Sequence, residues 1–154
     1  KGIGESIARG LAEHGAKVVI SSRKQEACDA VVEKFKADGL EAVGIACHVG
    51  DAAQRENLVN KTIEHFGGID ILVNNAATNP VFAPLVQAQE SAFDQIMNVN
   101  VKACMILANL CFPSMQKRGH GSIINISSVE GMKPSPFLGM YSVTVDSYNC
   151  QNDL

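Results

Sequence analysis

A short apolar run, Ile69-Asp70-Ile71-Leu72-Val73, gives the first indication of the architecture. It is rich in aliphatic and β-branched residues and lacks the in-and-out alternation of a strand with one face in water. This pattern is typical of a parallel strand that is covered on both faces. Comparable runs on either side predict parallel strands at residues 17–21, 41–46, 69–74 and 122–127.

The segments between these strands have a helical pattern. Apolar residues recur at helical spacing in residues 4–14, 26–36, 52–66 and 90–118, and Pro113 is expected to kink or break the last helix near its end. Strands that alternate with helices predict an α/β fold with a Rossmann-like, doubly wound parallel sheet.

Composition and charge narrow the class of protein. The chain has 154 residues, of which 46% are hydrophobic and 19% charged, which is ordinary for a globular domain. A formal net charge of -3 and scattered basic residues argue against nucleic-acid binding. No uninterrupted apolar run approaches the roughly 20 residues that cross a bilayer, so no membrane association is expected. We expect a soluble, cytoplasmic protein.

Cysteine and histidine spacing gives no sign of a metal site. The five cysteines lie far apart without a C-x-x-C pair, and the four histidines are equally dispersed. We expect most of the cysteines to be reduced, half-buried small apolar residues. No metal ligands are predicted.

A glycine pair opens the first predicted helix. Gly2-x-Gly4 would let backbone N–H groups at a helix N-terminus approach a pyrophosphate. Taken alone, such a pair is more often an ordinary turn. The turn-rich segments 78–84 and 129–139 follow strands at the sheet edge where open α/β sheets bind ligands, and are candidates for lining a site.

Further motifs occur in an order that resembles the short-chain dehydrogenase/reductase family over residues 1–144. They are Lys1-Gly2-Ile3-Gly4, Asn74-Asn75-Ala76, Asn98-Val99-Asn100-Val101, Ile124-Asn125-Ile126-Ser127-Ser128 and Tyr141. Four other segments resemble the family branch that contains carbonyl and retinal reductases of the member-4 type. These segments are Ser21-Ser22-Arg23-Lys24-Gln25, Cys47-His48-Val49-Gly50, Gly67-Gly68-Ile69-Asp70 and Asn79-Pro80.

The resemblance implies three groups of cofactor-binding residues. Gly2, Ile3 and Gly4 match the end of the turn under the pyrophosphate, and Asn75, Ala76 and Ala77 match the stretch that passes the adenosine ribose, with Ala77 in place of the usual glycine. His48 and Val49 match the place where many members set Asp-Val against the adenine. A solvent-facing histidine at the strand end is an equally weighted reading of His48.

Cofactor preference is expected to depend on Ser22 and Arg23. NAD-dependent relatives usually place an acidic residue where Ser22 stands, to bind the ribose hydroxyls. Without that carboxylate, and with Arg23 able to grip a 2′-phosphate, NADP(H) is favoured, and Lys24 would add a second positive charge. The alternative is a solvated turn without a ligand.

The resemblance places catalysis on Ser128, Tyr141 and Asn100. Hydride moves between nicotinamide and a carbonyl carbon, so the oxygen needs a proton donor and a second hydrogen-bond partner. Tyr141 would be the acid/base, Ser128 the partner, and Asn100 would bond backbone and a water on the proton path. Ser127 is the weaker serine candidate, and a solvent-facing Asn100 is the alternative reading.

The chain departs from the family at Val145, where members carry a lysine that binds the nicotinamide ribose and favours the tyrosinate. Residues 145–154 also lack the expected apolar helical stripe, so we divide the chain into a partial dinucleotide-binding and catalytic domain, 1–144, and a non-family tail, 145–154. A catalytically inactive fragment of an NADP(H)-dependent oxidoreductase is the main interpretation. A nucleotide- or partner-binding member without activity is the alternative, and a sugar-nucleotide epimerase is a weaker one.

The resemblance also implies missing parts. The family's first strand and its C-terminal part are absent, and the first strand would lie between the strands at 17–21 and 69–74. We expect a slot of about 10 Å there, twice the strand spacing of about 4.8 Å, whose unpaired edges would destabilise an isolated fragment. Small carbonyls or alcohols would be the substrates, and the full-length parent is expected to form a dimer or tetramer.

Overall fold

The computed structural model describes residues 2–147. These residues form two compact units, residues 2–69 and residues 70–147, each built around a two-stranded parallel sheet. The predicted α/β class with parallel strands is confirmed.

The first unit follows a helix, strand, helix, strand, helix order. Its elements are α1 (Ile3–Glu13), β1 (Val18–Ser22), α2 (Gln25–Ala37), β2 (Ala42–Ala46) and α3 (Ala52–Phe66). The strands β1 and β2 are parallel, with Val18 opposite Ala42 and Ser22 opposite Ala46.

Apolar side chains of α1, β1 and α2 form the core of this unit. Phe35 is fully buried and packs in one cluster with Ala12, Val18, Val31 and Val32. Complete burial of one such aromatic side chain stabilises the fold by about 1.5–3 kcal/mol.

Two contacts of α2 fix its approach to β2. Gly44 lies so close to α2 that a Cβ there would stand 2.9 Å from Cys28 Cβ. The Gln25 side-chain amide donates to Gly44 O (2.9 Å) and accepts from Ala46 N (2.8 Å). These bonds join the first residue of α2 to the strand backbone.

The second unit contains two further parallel strands and three α-helices. Its elements are β3 (Ile71–Asn74), α4 (Glu90–Met97), α5 (Ala103–Arg118), β4 (Ser122–Asn125) and α6 (Gly139–Asp146), with 3-10 turns at Leu85–Gln87 and Val129–Gly131. Ile71 stands opposite Ser122 and Asn74 opposite Asn125.

Strand pairing agrees with the predicted order. β1 pairs with β2 and β3 pairs with β4, and no β1–β3 pairing occurs among residues 2–147. All four strands lie within two residues of their predicted bounds. The width of the slot stays a prediction.

The long predicted helix at 90–118 is interrupted in a different place from the one expected. A π-helical turn, Asn98–Lys102, separates α4 from α5, whereas α5 runs through Pro113 to Arg118. A break at Pro113 is therefore wrong, whereas a kink there stays a prediction. Proline removes one N–H donor, but packing of the surrounding helix overrides that local penalty.

By length and composition alone, the helical stretch Glu90–Arg118 could span a membrane. Its uninterrupted apolar runs are short because Asn98, Asn100 and Lys102 intervene. A core helix of a water-soluble protein passes the same test, and this stretch buries Ile96 and Leu107 within the unit.

Four cysteines are fully buried free thiols rather than half-buried. They are Cys28, Cys47, Cys104 and Cys111, while Cys150 lies outside the described residues. Burial raises the pKa of the Cys47 thiol and raises that of Cys111 to about 11. Both thiols are therefore protonated at neutral pH.

Candidate active site

The N-terminus of α1 has the backbone of an anion-binding turn. Gly2 adopts φ 80° and ψ -154°, a conformation that favours glycine, and it provides no side-chain cap for α1. Gly2 therefore offers no capping side chain to the N–H groups of the first turn, which includes Ile3 and Gly4, and the helix dipole favours negative charge there. This geometry fits the predicted pyrophosphate turn.

At the carboxyl end of β1, the Ser22 hydroxyl lies within 3.1 Å of Lys24 O, to which it donates, and 3.4 Å from Cys28 Sγ. Ser22 is half-buried, whereas Arg23 and Lys24 are exposed. No ion pair of Arg23 with another side chain is found within residues 2–147. The Arg23 guanidinium is therefore available to an anion, whereas the Ser22 hydroxyl is engaged with Lys24 O.

The end of β2 adjoins that of β1, since Cys47 N donates to Ser22 O (2.8 Å). His48 is exposed there, and its Nδ1 accepts from Gly50 N (3.1 Å), so a neutral ring carries its proton on Nε2. The Val49 carbonyl accepts a hydrogen bond from Nη1 of buried Arg55. His48 is thus a solvent-facing residue with a fixed ring, compatible with either predicted reading.

In the second unit, the ends of β3 and β4 are joined by side chains. Asn74, which is buried, donates from Nδ2 to Asn125 Oδ1 (2.8 Å). Asn75 follows half-buried, and Ala76 and Ala77 are exposed. Small side chains leave the backbone at Ala76 and Ala77 open to a ligand, as the predicted ribose contact requires.

Asn100 lies in the π-helical turn and is completely buried. Its Oδ1 accepts from Thr78 N (2.8 Å), and its Nδ2 donates to Thr78 O (2.9 Å) and Thr144 Oγ1 (3.0 Å). The alternative of a solvent-facing helical asparagine is therefore wrong. Asn100 instead ties the segment after β3 to α6, and its predicted contact with a water stays a prediction.

Ser128 begins the 3-10 turn after β4. Its Oγ accepts a hydrogen bond from Glu130 N (3.2 Å), which leaves the hydroxyl proton available for donation. The neighbouring Ser127 instead donates its hydroxyl proton to Val145 O (2.9 Å). The two hydroxyls therefore differ, since the proton of Ser127 is used within the chain and that of Ser128 is available to an acceptor.

Tyr141 is half-buried on α6, which packs against the turn that Ser128 begins. Its ring packs with Cys104 and with Val145, which is 1% exposed. The position where family members carry the lysine ammonium is therefore occupied by the buried side chain of Val145. The helix α6 itself continues to Asp146, two residues past the boundary at residue 144.

The predicted residues fall into two sets, one in each unit. Ser22, Arg23 and His48 gather at adjoining strand ends in the first unit, whereas Asn100, Ser128 and Tyr141 lie on packed elements of the second. Thr78, Thr144 and Glu130 were missed, because they act as hydrogen-bond partners far away in sequence or through backbone atoms. Residues 148–154, most of the predicted tail, lie outside the described residues.

Comparison with known proteins agrees with these observations. The family profile described as short chain dehydrogenase matches residues 1–144. Dehydrogenase/reductase SDR family member 4 of Sus scrofa is 48% identical over 143 residues, which cover 93% of this chain and 51% of the relative. Tropinone reductase-like 3 of Erythroxylum coca is 46% identical over 144 residues, covering 94% and 55%.

Solved structures give the same result. A gluconate 5-dehydrogenase from Burkholderia cenocepacia J2315 in complex with NADP and tartrate is 34% identical, with a TM-score of 0.90 over 98% of this chain and 59% of that one. A metagenomic short-chain oxidoreductase in complex with NADP is 33% identical, with a TM-score of 0.92 over 98% and 68%. The chain spans about half the length of the curated relatives it matches. It belongs to the short-chain dehydrogenase/reductase family of oxidoreductases.

Proposed function

We propose that this chain is part of an NADP(H)-preferring oxidoreductase that interconverts carbonyls and secondary alcohols. The proposal depends chiefly on the exposed Arg23 at the carboxyl end of β1, beside Ser22 where NAD-dependent relatives place a carboxylate. The NADP complexes of two similar structures support the same preference.

The first unit would hold the nucleotide. The uncapped N-terminus of α1 suits a pyrophosphate, and Arg23 with Lys24 suits a 2′-phosphate. His48 would donate from Nε2 to an adenine nitrogen, where an aspartate would accept from the adenine amino group. From the second unit, Asn75, Ala76 and Ala77 would contribute the ribose contact that the family resemblance implies.

The second unit would handle the reacting oxygen. Nicotinamide, when bound, supplies or accepts the hydride. Tyr141 would exchange the proton, and Ser128 would donate its free hydroxyl proton to the same oxygen. Asn100 would keep α6 in place through Thr144. Because Val145 carries no ammonium, we expect slow turnover by the chain as it stands.

The wider setting belongs to the same proposal. Enzymes of this family act on small-molecule substrates. We place this one in the cytoplasm as a homo-oligomer, a dimer or tetramer, with no nucleic-acid or membrane partner.

Nucleotide binding tests the proposal directly. Titration of the 154-residue chain with NADPH and with NADH is expected to give the lower Kd for NADPH. Arg23→Asp should raise the NADPH Kd at least tenfold and reverse the preference, because it replaces a phosphate-binding cation with a repelling carboxylate. Lys61→Asp, an exposed charge change on α3, is the control and should leave the ratio unchanged. An unchanged ratio in Arg23→Asp would remove Arg23 from the site.

A further inference from the structure

Glu130 lies between the two candidate catalytic residues and contacts the chain beside each of them. It occupies the middle of the 3-10 turn Val129–Gly131, which Ser128 begins and which packs against α6. We propose that Glu130 is a positioning residue that sets the placement of Tyr141 relative to Ser128. This inference rests on the proposed function of that pair.

The backbone of Glu130 engages the serine, and its carboxylate engages the chain around the tyrosine. Glu130 N donates to Ser128 Oγ (3.2 Å). The carboxylate accepts from Ser135 N (2.8 Å) and from Ser135 Oγ (2.7 Å). It also lies 3.4 Å from the hydroxyl of Ser142, the residue after Tyr141, whose proton is shared with Leu138 O at 3.0 Å.

These bonds close the loop that joins Ser128 to Tyr141. Ser135 stands midway in it, so a carboxylate that binds both its N–H and its hydroxyl removes freedom from residues 131–138. The Ser142 contact adds a link from the same carboxylate to the first turns of α6. One side chain thereby restrains the path between the two catalytic groups.

A close backbone approach on the other side of the turn transmits this restraint. A Cβ at Gly131 would lie 3.0 Å from Asp146 N and 3.1 Å from Val145 C, so the turn is seated directly on α6. Packed elements of this kind shift together rather than deform. Movement of Glu130 should therefore move α6, and Tyr141 with it.

The hydrogen bonds favour the ionised carboxylate. The Ser135 hydroxyl and then the Ser135 N–H lower the pKa of Glu130 below its ordinary value. The titratable groups on the surrounding elements are Lys133 in the loop and Tyr141 and Asp146 on α6, and no ion pair joins Lys133 to Glu130 among residues 2–147. Since the folded pKa is depressed, the restraint is present above the ordinary pKa and is lost as pH falls through the folded one.

The test follows the Tyr141 ring by NMR of 13C-tyrosine-labelled chain, in a Tyr148→Phe background that leaves one tyrosine signal. We expect an acid-range titration step in that signal. Glu130→Gln should abolish the step and give, at neutral pH, the shift that the parent shows in acid. Glu130→Asp should keep the step, and Glu56→Gln, an exposed carboxylate on α3, should change nothing.

This measurement tests the inference without requiring catalytic activity. A Tyr141 signal that is the same in Glu130→Gln and the parent at neutral pH would overturn it, even if the Ser135 amide exchanges faster. If Glu130→Gln fails to fold, the parent's titration and Glu130→Asp still decide. In turnover assays of a Val145→Lys variant, we expect Glu130→Gln to lower kcat about tenfold with the KM for NADPH unchanged. Absence of Tyr141-dependent turnover in the Val145→Lys variant itself would instead count against the proposed function.

Discussion

The buried amide of Asn100 leads to a quantitative prediction. Asn100→Leu keeps the volume of the side chain but removes the donor and the acceptor that serve Thr78. Thr144 keeps a partner, because its hydroxyl donates to Tyr141 O (2.7 Å). The substitution therefore orphans two backbone groups, the N–H and the carbonyl of Thr78.

The expected loss follows from those two groups. An unsatisfied buried polar group costs about 1–3 kcal/mol, and because Thr78 is only half-buried we expect a loss near the lower end, about 2 kcal/mol for the two groups. Asn100 is 0% exposed, so water does not replace its amide easily. Since domains are stable by only about 5–15 kcal/mol, this change removes a large share of the free energy of unfolding.

Urea denaturation followed by circular dichroism measures the loss, and hydrogen exchange at the Thr78 amide locates it. Asn109→Leu, at an exposed position of α5, is the matched control and should change stability by no more than about 0.5 kcal/mol. A loss under about 1 kcal/mol in Asn100→Leu, with the Thr78 amide still protected, would refute the reasoning.

Three further predictions concern a catalytic, an ionisable and a packing position. Val145→Lys should raise the single-turnover rate of diketone reduction by NADPH by orders of magnitude, since an ammonium favours the tyrosinate. Tyr141→Phe should remove that gain. Equal rates with valine and with lysine at position 145 would show that another cation supplies the charge. The free energy of unfolding should fall as pH rises from 9.0, the ordinary pKa of a thiol, to about 11, the raised pKa of Cys111, and Cys111→Ala should flatten this fall in pH-dependent denaturation. Gly44→Ala should lower the free energy of unfolding by about 1–3 kcal/mol, and the melting temperature with it, because α2 must shift to admit the new Cβ, whereas Gly10→Ala, with open space around it, should not.

Apolar runs were sufficient to predict the strands, although the expected cover on both faces is wrong for β3 and β4, where Ile71 is 41% and Ile124 40% exposed. Residues 17–21 and 122–127 were found this way within two positions of the observed bounds. The cofactor and catalytic residues came from motifs, whose order along the chain is a property of the sequence.

Interactions between distant segments were not predictable. Nothing local to Asn100 indicates that its partners are Thr78 and Thr144, which lie 22 and 44 positions away. The apolar spacing of the π-helical turn that carries Asn100 does not differ from that of an α-helix, so the sequence predicts an ordinary helix there. In the sequence Glu130 resembles any solvated loop carboxylate, and only the structure shows its hydrogen bond with the Ser135 hydroxyl.

The Gln25 side chain has a consequence for assembly. Glu41 O and Cys47 N of the β2 segment bond to β1, so the alternate residues Gly44 and Ala46 direct their backbone groups to the opposite edge. There the Gln25 amide takes the positions that an incoming strand from another molecule would use. Gln25 thereby blocks the free edge of β2 against strand addition from another molecule, which is the first step of fibrous aggregation.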